Sequence, residues 1–217
     1  MKKYIFGTSQ FAEVLSSYIW TDSETTGKYI VDEKYLNSSS NLCNLISWED
    51  FIKTVIPNDE IEIYIAIGYN NMNSIRESIY HRIKKYGYKI GTYIHPSDIV
   101  SSTSVIGEGC ILLENVIIQP YVKCGVCNIF WSNVNLCHHT SIGNFNFFAA
   151  SSAVLGRIEV GSNCFIGCNS TIKNEVKIAD KTLIGAGAYC SQNTKEFEVV
   201  VPVRSVSLNK KSNDMKI

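Results

Sequence analysis

Every sixth residue is apolar over the second half of the chain. Stepping from Ile106, the positions are Ile106, Leu112, Ile118, Cys124, Phe130, Leu136, Ile142, Phe148, Val154, Val160, Ile166, Ile172, Ile178, Ile184 and Cys190, and Val100 lies one step earlier. With 45% apolar residues overall, such a run arises by chance about once in 10⁵ trials per register. Four residues after most of these positions the side chain is small or β-branched, as at Val116, Val134, Thr140, Ser152, Cys164, Ser170 and Ala188. Six is neither the helical period nor a plain strand alternation. It fits short strands joined by tight corners, each strand sending one large apolar side chain inward. Three such strands close a triangular coil of eighteen residues. Gly107, Gly125, Gly143 and Gly161 recur at that spacing, as do Gly167 and Gly185 on the next corner. Glycine suits a corner that needs positive φ or a close backbone approach. Coils stacked one strand spacing apart, ~4.8 Å, make a parallel β-helix of hexapeptide repeats. Residues 100–190 supply about five coils, with no skipped step and so no long interrupting loop.

The first half reads differently. Lys2–Phe6 is a short apolar strand, followed by a Gly7-Thr8-Ser9-Gln10 turn with Ser9 as a possible helix cap and by helical spacing from Phe11 to Ile19. Lys28–Val31 predicts a second strand ending at Asp32-Glu33. Ser47, with Asp50 three residues on, predicts a helix start. Ile61–Ile67 predicts a third strand ending at Gly68, Ser74–Tyr86 a helix, and Tyr88–Tyr93 a last strand. Alternating strands and helices imply a small Rossmann-like parallel sheet, and ligands of such sheets sit where strands end in turns. Gly7, Thr8, Ser9, Asp32, Glu33 and Gly68 are therefore the candidate substrate residues. Gly7-Thr8-Ser9 is not a full G-x-G-x-x-G, and a plain strand-to-helix turn is its alternative. His95-Pro96 marks the passage into the solenoid. The expected division is 1–94 for the α/β domain, 95–207 for the β-helix and 208–217 for a frayed tail.

Twenty basic and twenty acidic residues leave no net charge, which argues against a nucleic-acid or acidic-membrane partner held by bulk charge. No apolar run reaches the ~18 residues of a membrane span. Eight cysteines without a signal peptide point to reduced thiols and a cytoplasmic location. From Cys124 to Gly156 there is no Asp, Glu, Lys or Arg. That stretch is expected to be packed in the core and against a second copy of the chain.

The two halves together resemble the bacterial hexapeptide acetyltransferases of surface-sugar biosynthesis. These include the N-acetyltransferases of nucleotide-linked amino sugars and the sialic-acid O-acetyltransferases. The segments that carry the resemblance are Tyr4–Gly7, Ile65–Gly68 with Ile75-Arg76, Tyr93–Pro96, Leu136–Gly143, Asn163–Ser170, Ile184–Ala188 and Val201–Arg204. The resemblance implies a left-handed β-helix, a homotrimer, acetyl-CoA bound between neighbouring β-helices, a nucleotide sugar on the small domain, and no metal. It implies His138 as general base. It further implies acetyl-CoA contacts at Gly156, Cys168, Ala186, Phe147 and Arg204, with Phe147 standing where the family has a second histidine. The residue after the base is often acidic in the family but is His139 here. Asn133, Asn135 or a backbone carbonyl is then the expected partner of His138, and His139 is expected to point to the opposite face. A corner amide such as that of Gly156 is the expected oxyanion donor.

Competing readings stand beside these. His138 could be a surface or interface histidine. Cys137 could carry an acyl group. Cys124-x-x-Cys127 resembles half a metal site, although Cys124 occupies an inward repeat position. O-acetylation, or sugar-nucleotide binding without catalysis, are the alternatives to N-acetylation. Trp131 takes a corner and is expected to face an interface or a ligand.

Overall fold

A computed structural model describes residues 1–20, 27–38 and 42–203. Expectations for Arg204 and for the tail 208–217 lie outside those residues. The chain begins with an α/β unit of five parallel strands: β1 (Lys2–Phe6), β2 (Tyr29–Val31), β3 (Leu45–Ser47), β4 (Ile61–Ile65) and β5 (Lys89–Ile90). Their order in the sheet is β3-β2-β1-β4-β5. Helices α1 (Gln10–Ile19), α2 (Trp48–Thr54) and α3 (Ser74–Lys85) connect them. The helices start where short polar residues precede apolar spacing. Ser47 Oγ accepts the Asp50 N–H at 3.0 Å and caps α2, whereas Ser9 holds the capping position of α1 without a side-chain bond. Strand β3 was not legible, because only three residues precede its helix. The expected Tyr88–Tyr93 strand divides into β5 and a separate strand, Tyr93–Ile94, which already belongs to the solenoid.

From Tyr93 onward the chain winds as two-residue strands in three parallel sheets. The first face runs from Tyr93–Ile94 to Val199–Val200, the second from Ile99–Val100 to Tyr189–Cys190, and the third from Val105–Ile106 to Lys177–Ile178. Every pairing is in register at eighteen residues from the second coil strand on, for example Phe130 with Phe148 and Leu136 with Val154, until the last coil, where Ile184 meets Val200. This is the left-handed β-helix expected. The period-six side chains fill its axis. Leu112, Phe130, Leu136, Phe148, Val154, Ile166, Ile172 and Ile184 are fully buried, and Phe130 stacks on Phe148 with centroids 4.9 Å apart.

The corners resolve what the glycines do. The second residue of each corner turn, every sixth position from Gly109 to Gly187, is left-handed. Among these are Asn115, Tyr121, Cys127, Asn133, His139, Phe145, Ser151 and Arg157. Most are not glycine, although left-handed backbone costs an L-residue roughly 1–2 kcal/mol. The geometry is held because the amide of each such residue bonds the preceding coil, as in Cys127 N–H to Glu108 O and Asn163 N–H to Asn144 O, both at 2.9 Å. Gly107, Gly125, Gly143 and Gly161 serve close approach instead. A Cβ at Gly107 would stand 2.4 Å from Gly125 O, and one at Gly143 would stand 2.5 Å from Gly161 O.

The α/β unit covers the first face. Outward-facing Ile111, Ile129 and Phe147 are buried together with Phe11, Leu15 and Tyr64 of the small domain. Trp131 packs against Phe11 and Phe147, so it meets the chain's own small domain. Part of the charge-free stretch is therefore covered within one protomer. Polar bridges edge this contact. Tyr18 donates to Glu114, Tyr80 to Glu108 at 2.6 Å, and Asn73 Nδ2 to Cys164 O at 3.0 Å. Arg76 is 1% exposed. Its guanidinium donates to Ile67 O and Gly68 O on one side and to Cys127 O, Phe145 O and Asn146 O on the other, at 2.7–3.2 Å. Burial pulls its pKa down to about 10. Among the described residues no carboxylate bonds to it, and carbonyl dipoles solvate the charge.

Candidate active site

Two places in the molecule carry the expected residues. The first is a cavity of about 340 Å³ at the ends of β1, β2 and β4, lined by Gly7, Thr8, Ser9, Asp32 and Gly68 together with Tyr35, Asn70, Ile75 and Ile79. Gly7 is shaped for this turn. Its φ is +130°, and a Cβ there would stand 2.6 Å from Ala66 O. Asp32 sits at the rim in an ion pair with Arg82, 2.7 Å from Nη2. The Arg82 guanidinium lies over Phe6 and Trp48. Glu33 differs from expectation. It starts a 3-10 turn, Glu33–Ser38, and does not line the cavity; its N–H donates to Glu49 Oε2 at 3.2 Å. Asn70 belongs to the Gly68–Asn71 strand end where a ligand is expected, whereas Tyr35, Ile75 and Ile79 were missed. Ile75 and Ile79, four residues apart on α3, share the helix face that forms part of the cavity wall.

The second place is the corner between the second and third faces, where positions 138, 156 and 174 are stacked eighteen residues apart. His138 is exposed. Its imidazole lies against Gly156: a Cβ at 156 would stand 2.8 Å from Cε1 and 3.0 Å from Nε2. The His138 N–H donates to Gln119 Oε1 at 3.0 Å, and its carbonyl accepts from Arg157 N–H at 3.0 Å. Backbone position is thus fixed from both neighbouring coils.

Three expectations about this corner need correction. His138 and His139 do not diverge, because they sit in a turn, where strand alternation does not apply. His138 Nδ1 and His139 Nδ1 are 3.1 Å apart. Asn133 and Asn135 do not partner His138: Asn133 lies on another corner, and Asn135 Oδ1 accepts from the Cys137 thiol at 3.8 Å. The Gly156 amide is not idle either, since it donates to Asn174 Oδ1 at 2.9 Å. The same capping recurs at Val126 with Asn144 and at Ser162 with Asp180, so the corners satisfy their own amides. Gln119, Tyr121 and Asn174 were missed. The eighteen-residue spacing from Gly156 and His139 would have found the last two.

The expected acetyl-CoA residues divide by location. Cys168 and Ala186 are exposed on the corner between the first and second faces, so the second face separates them from His138 and Gly156. Phe147 is 5% exposed on the first face, stacked on Phe165 and capped by Tyr69 at 5.0 Å. An outward aromatic ring there is covered by the small domain and does not reach the His138 corner. Cys137 is half-buried, and burial pushes its thiol up, which weakens it as a nucleophile. Cys124 and Cys127 are buried with their thiols pushed up for the same reason. No cluster of three metal-ligating side chains occurs among the described residues.

Residues 157–192 match the model of the bacterial transferase hexapeptide family (six repeats). Among solved structures, the chain is similar to WeeI from Acinetobacter baumannii, with a TM-score of 0.80 at 23% identity, covering 93% of this chain and 97% of that one. It is similar to the acetyltransferase domain of PglB from Neisseria gonorrhoeae, with a TM-score of 0.79 at 19% identity over 93% and 96% of the two chains. That domain is also known in complex with acetyl coenzyme A. A histidine-to-asparagine variant of perosamine N-acetyltransferase from Caulobacter crescentus, in complex with CoA and GDP-perosamine, matches with a TM-score of 0.81 at 18% identity over 93% and 94%. A small parallel α/β unit clamped onto a hexapeptide solenoid is thus the fold this chain shares with these three structures.

Proposed function

We propose that the protein transfers an acetyl group from acetyl-CoA to the amine of a nucleotide-linked sugar, with His138 as general base. The observation that carries this reading is the exposed imidazole of His138 lying against Gly156, held at the backbone by Gln119 and Arg157. Imidazole can exchange a proton near neutral pH. His138 Nε2 takes the proton of the amine as the nitrogen attacks the thioester carbonyl. The tetrahedral species then expels CoA as thiolate, which the same nitrogen reprotonates. The cavity at Gly7, Thr8, Ser9, Asp32 and Gly68 is the proposed seat of the nucleoside. GDP-perosamine bound to a protein of this fold supports that class of acceptor.

The reading includes a homotrimer. The outward residues of the second face are Ile99, Ile117, Asn135, Ala153, Thr171 and Tyr189, with no charge among them. The third face instead carries Lys123, Glu159 and Lys177 outward, with an ion pair between the last two at 3.0 Å. The second face is flanked by the His138–Gly156 edge on one side and the Cys168–Ala186 edge on the other. Packing copies along it brings one edge of each type into a shared groove, which one protomer alone does not form.

Thiol release from acetyl-CoA with a panel of nucleotide amino sugars tests the chemistry. His138→Ala is expected to lower kcat by about 10²- to 10⁴-fold, the usual contribution of a positioned general base. Normal turnover in that variant sinks the assignment.

A further inference from the structure

The corner that carries His138 contains a second imidazole with an unusual relation to it. The two Nδ1 atoms are 3.1 Å apart, and the rings stand nearly perpendicular at 83°. Two ring nitrogens at that distance hold a single proton between them: two bare lone pairs would repel, and so would two N–H groups. The partner that holds a proton on one ring nitrogen fixes the tautomer, and so fixes which nitrogen is bare. We infer that His139 is a positioning residue, whose Nδ1 lone pair accepts the Nδ1–H of His138 and leaves Nε2 of His138 bare and facing the groove. This rests on His138 being the base of the proposed reaction. It assigns to a neutral imidazole the task of orienting that base.

The surroundings support a built arrangement. His139 has a left-handed backbone, φ 59°, which turns its ring back toward His138. Its N–H is tied to Pro120 O at 3.2 Å. The ring of Tyr121, one coil before, covers it with centroids 4.7 Å apart. Arg157 in the next coil is paired with Glu175 one coil further on, so the Arg157 side chain is committed away from the imidazoles. When His138 takes a proton on Nε2, its Nδ1–H···Nδ1 bond remains and becomes charge-assisted, which stabilises the imidazolium as it forms. Nothing in this needs His139 to change its own protonation.

The left-handed backbone decides how to test it. His139→Gly fits that conformation and removes the acceptor. His139→Asn also fits it, as Asn115, Asn133, Asn163 and Asn169 do at equivalent corners, and its Oδ1 stands about where Nδ1 did. We expect His139→Gly to lower kcat by roughly 10- to 100-fold, the range for losing an orienting partner, with KM for acetyl-CoA little changed. His139→Asn should recover most of that loss. In protein labelled with ¹⁵N-histidine, two-bond ¹H–¹⁵N correlations should find neutral His138 protonated on Nδ1. In His139→Gly they should find it shifted toward the Nε2–H form. Equal kcat for the Gly variant and wild type, failure of Asn to recover more than Gly, or an Nε2–H tautomer of His138 in the wild type each overturns the assignment. The spectra need no turnover. If His138→Ala stays active while the tautomer result holds, the general-base reading has failed and the imidazole pairing has not.

Discussion

At the scale of single residues, the site depends on one missing side chain. Gly156 has no left-handed backbone, so it is not a glycine for conformational reasons. It is small because an imidazole rests on it. Gly156→Ala therefore keeps the fold, gains slightly from a stiffer unfolded chain, and pushes His138 off its seat. The expected result is a melting temperature within a few degrees of wild type with kcat lowered by about tenfold or more. An unchanged kcat would mean that the ring does not work from this position. The sequence revealed His138 and Gly156 through motif likeness, but not what joins them. The Asn174 cap on the Gly156 amide was within reach of the eighteen-residue spacing; the Nδ1–Nδ1 contact and the Gln119 brace depend on the conformation of the turn. A pattern of apolar residues carries no information about that.

At the scale of elements, the solenoid was legible almost strand by strand, because one inward side chain per strand is a one-dimensional code. The α/β unit was less so. Strand β3 is three residues long, and β5 shares an apolar stretch with the first solenoid strand, so composition could not divide them. The seam between the units was not legible at all, since its polar partners are tens of residues apart. Glu114 illustrates the seam. The hydroxyls of Ser132 and Tyr18 donate to its carboxylate and hold it below the ordinary carboxylate range. A carboxyl lowered in the folded state contributes fully at pH values above its unfolded value, about 4.3, and loses that contribution as pH falls through the folded one. Glu114→Gln should therefore flatten the loss of stability as pH falls below about 4.3. Urea midpoints followed by tryptophan fluorescence check this, and parallel pH curves for variant and wild type would contradict it.

At the scale of the whole molecule, each solenoid face has its own environment. Among the described residues, the first is covered by the small domain, the third is charged, and the second is neither covered nor charged. Ala153 sits mid-way along that second face. If the proposed trimer packs on this face, Ala153→Arg is expected to leave the protomer folded and shift sedimentation from three times the mass of the 24.3 kDa chain toward the single chain. Activity should fall in step, because each proposed groove needs two copies. A trimer unaffected by the substitution would move the interface to another face. No helix among the described residues is long and apolar enough to cross a membrane.

The five carbonyls gathered by Arg76 come from both units, and two of them, from Ile67 and Gly68, belong to residues of the cavity wall. The cavity rim is therefore riveted to its own solenoid by a buried cation. Under the proposed reaction, the span from rim to reacting edge then acts as a fixed gauge, and selection among acceptors falls on their length as much as on their shape.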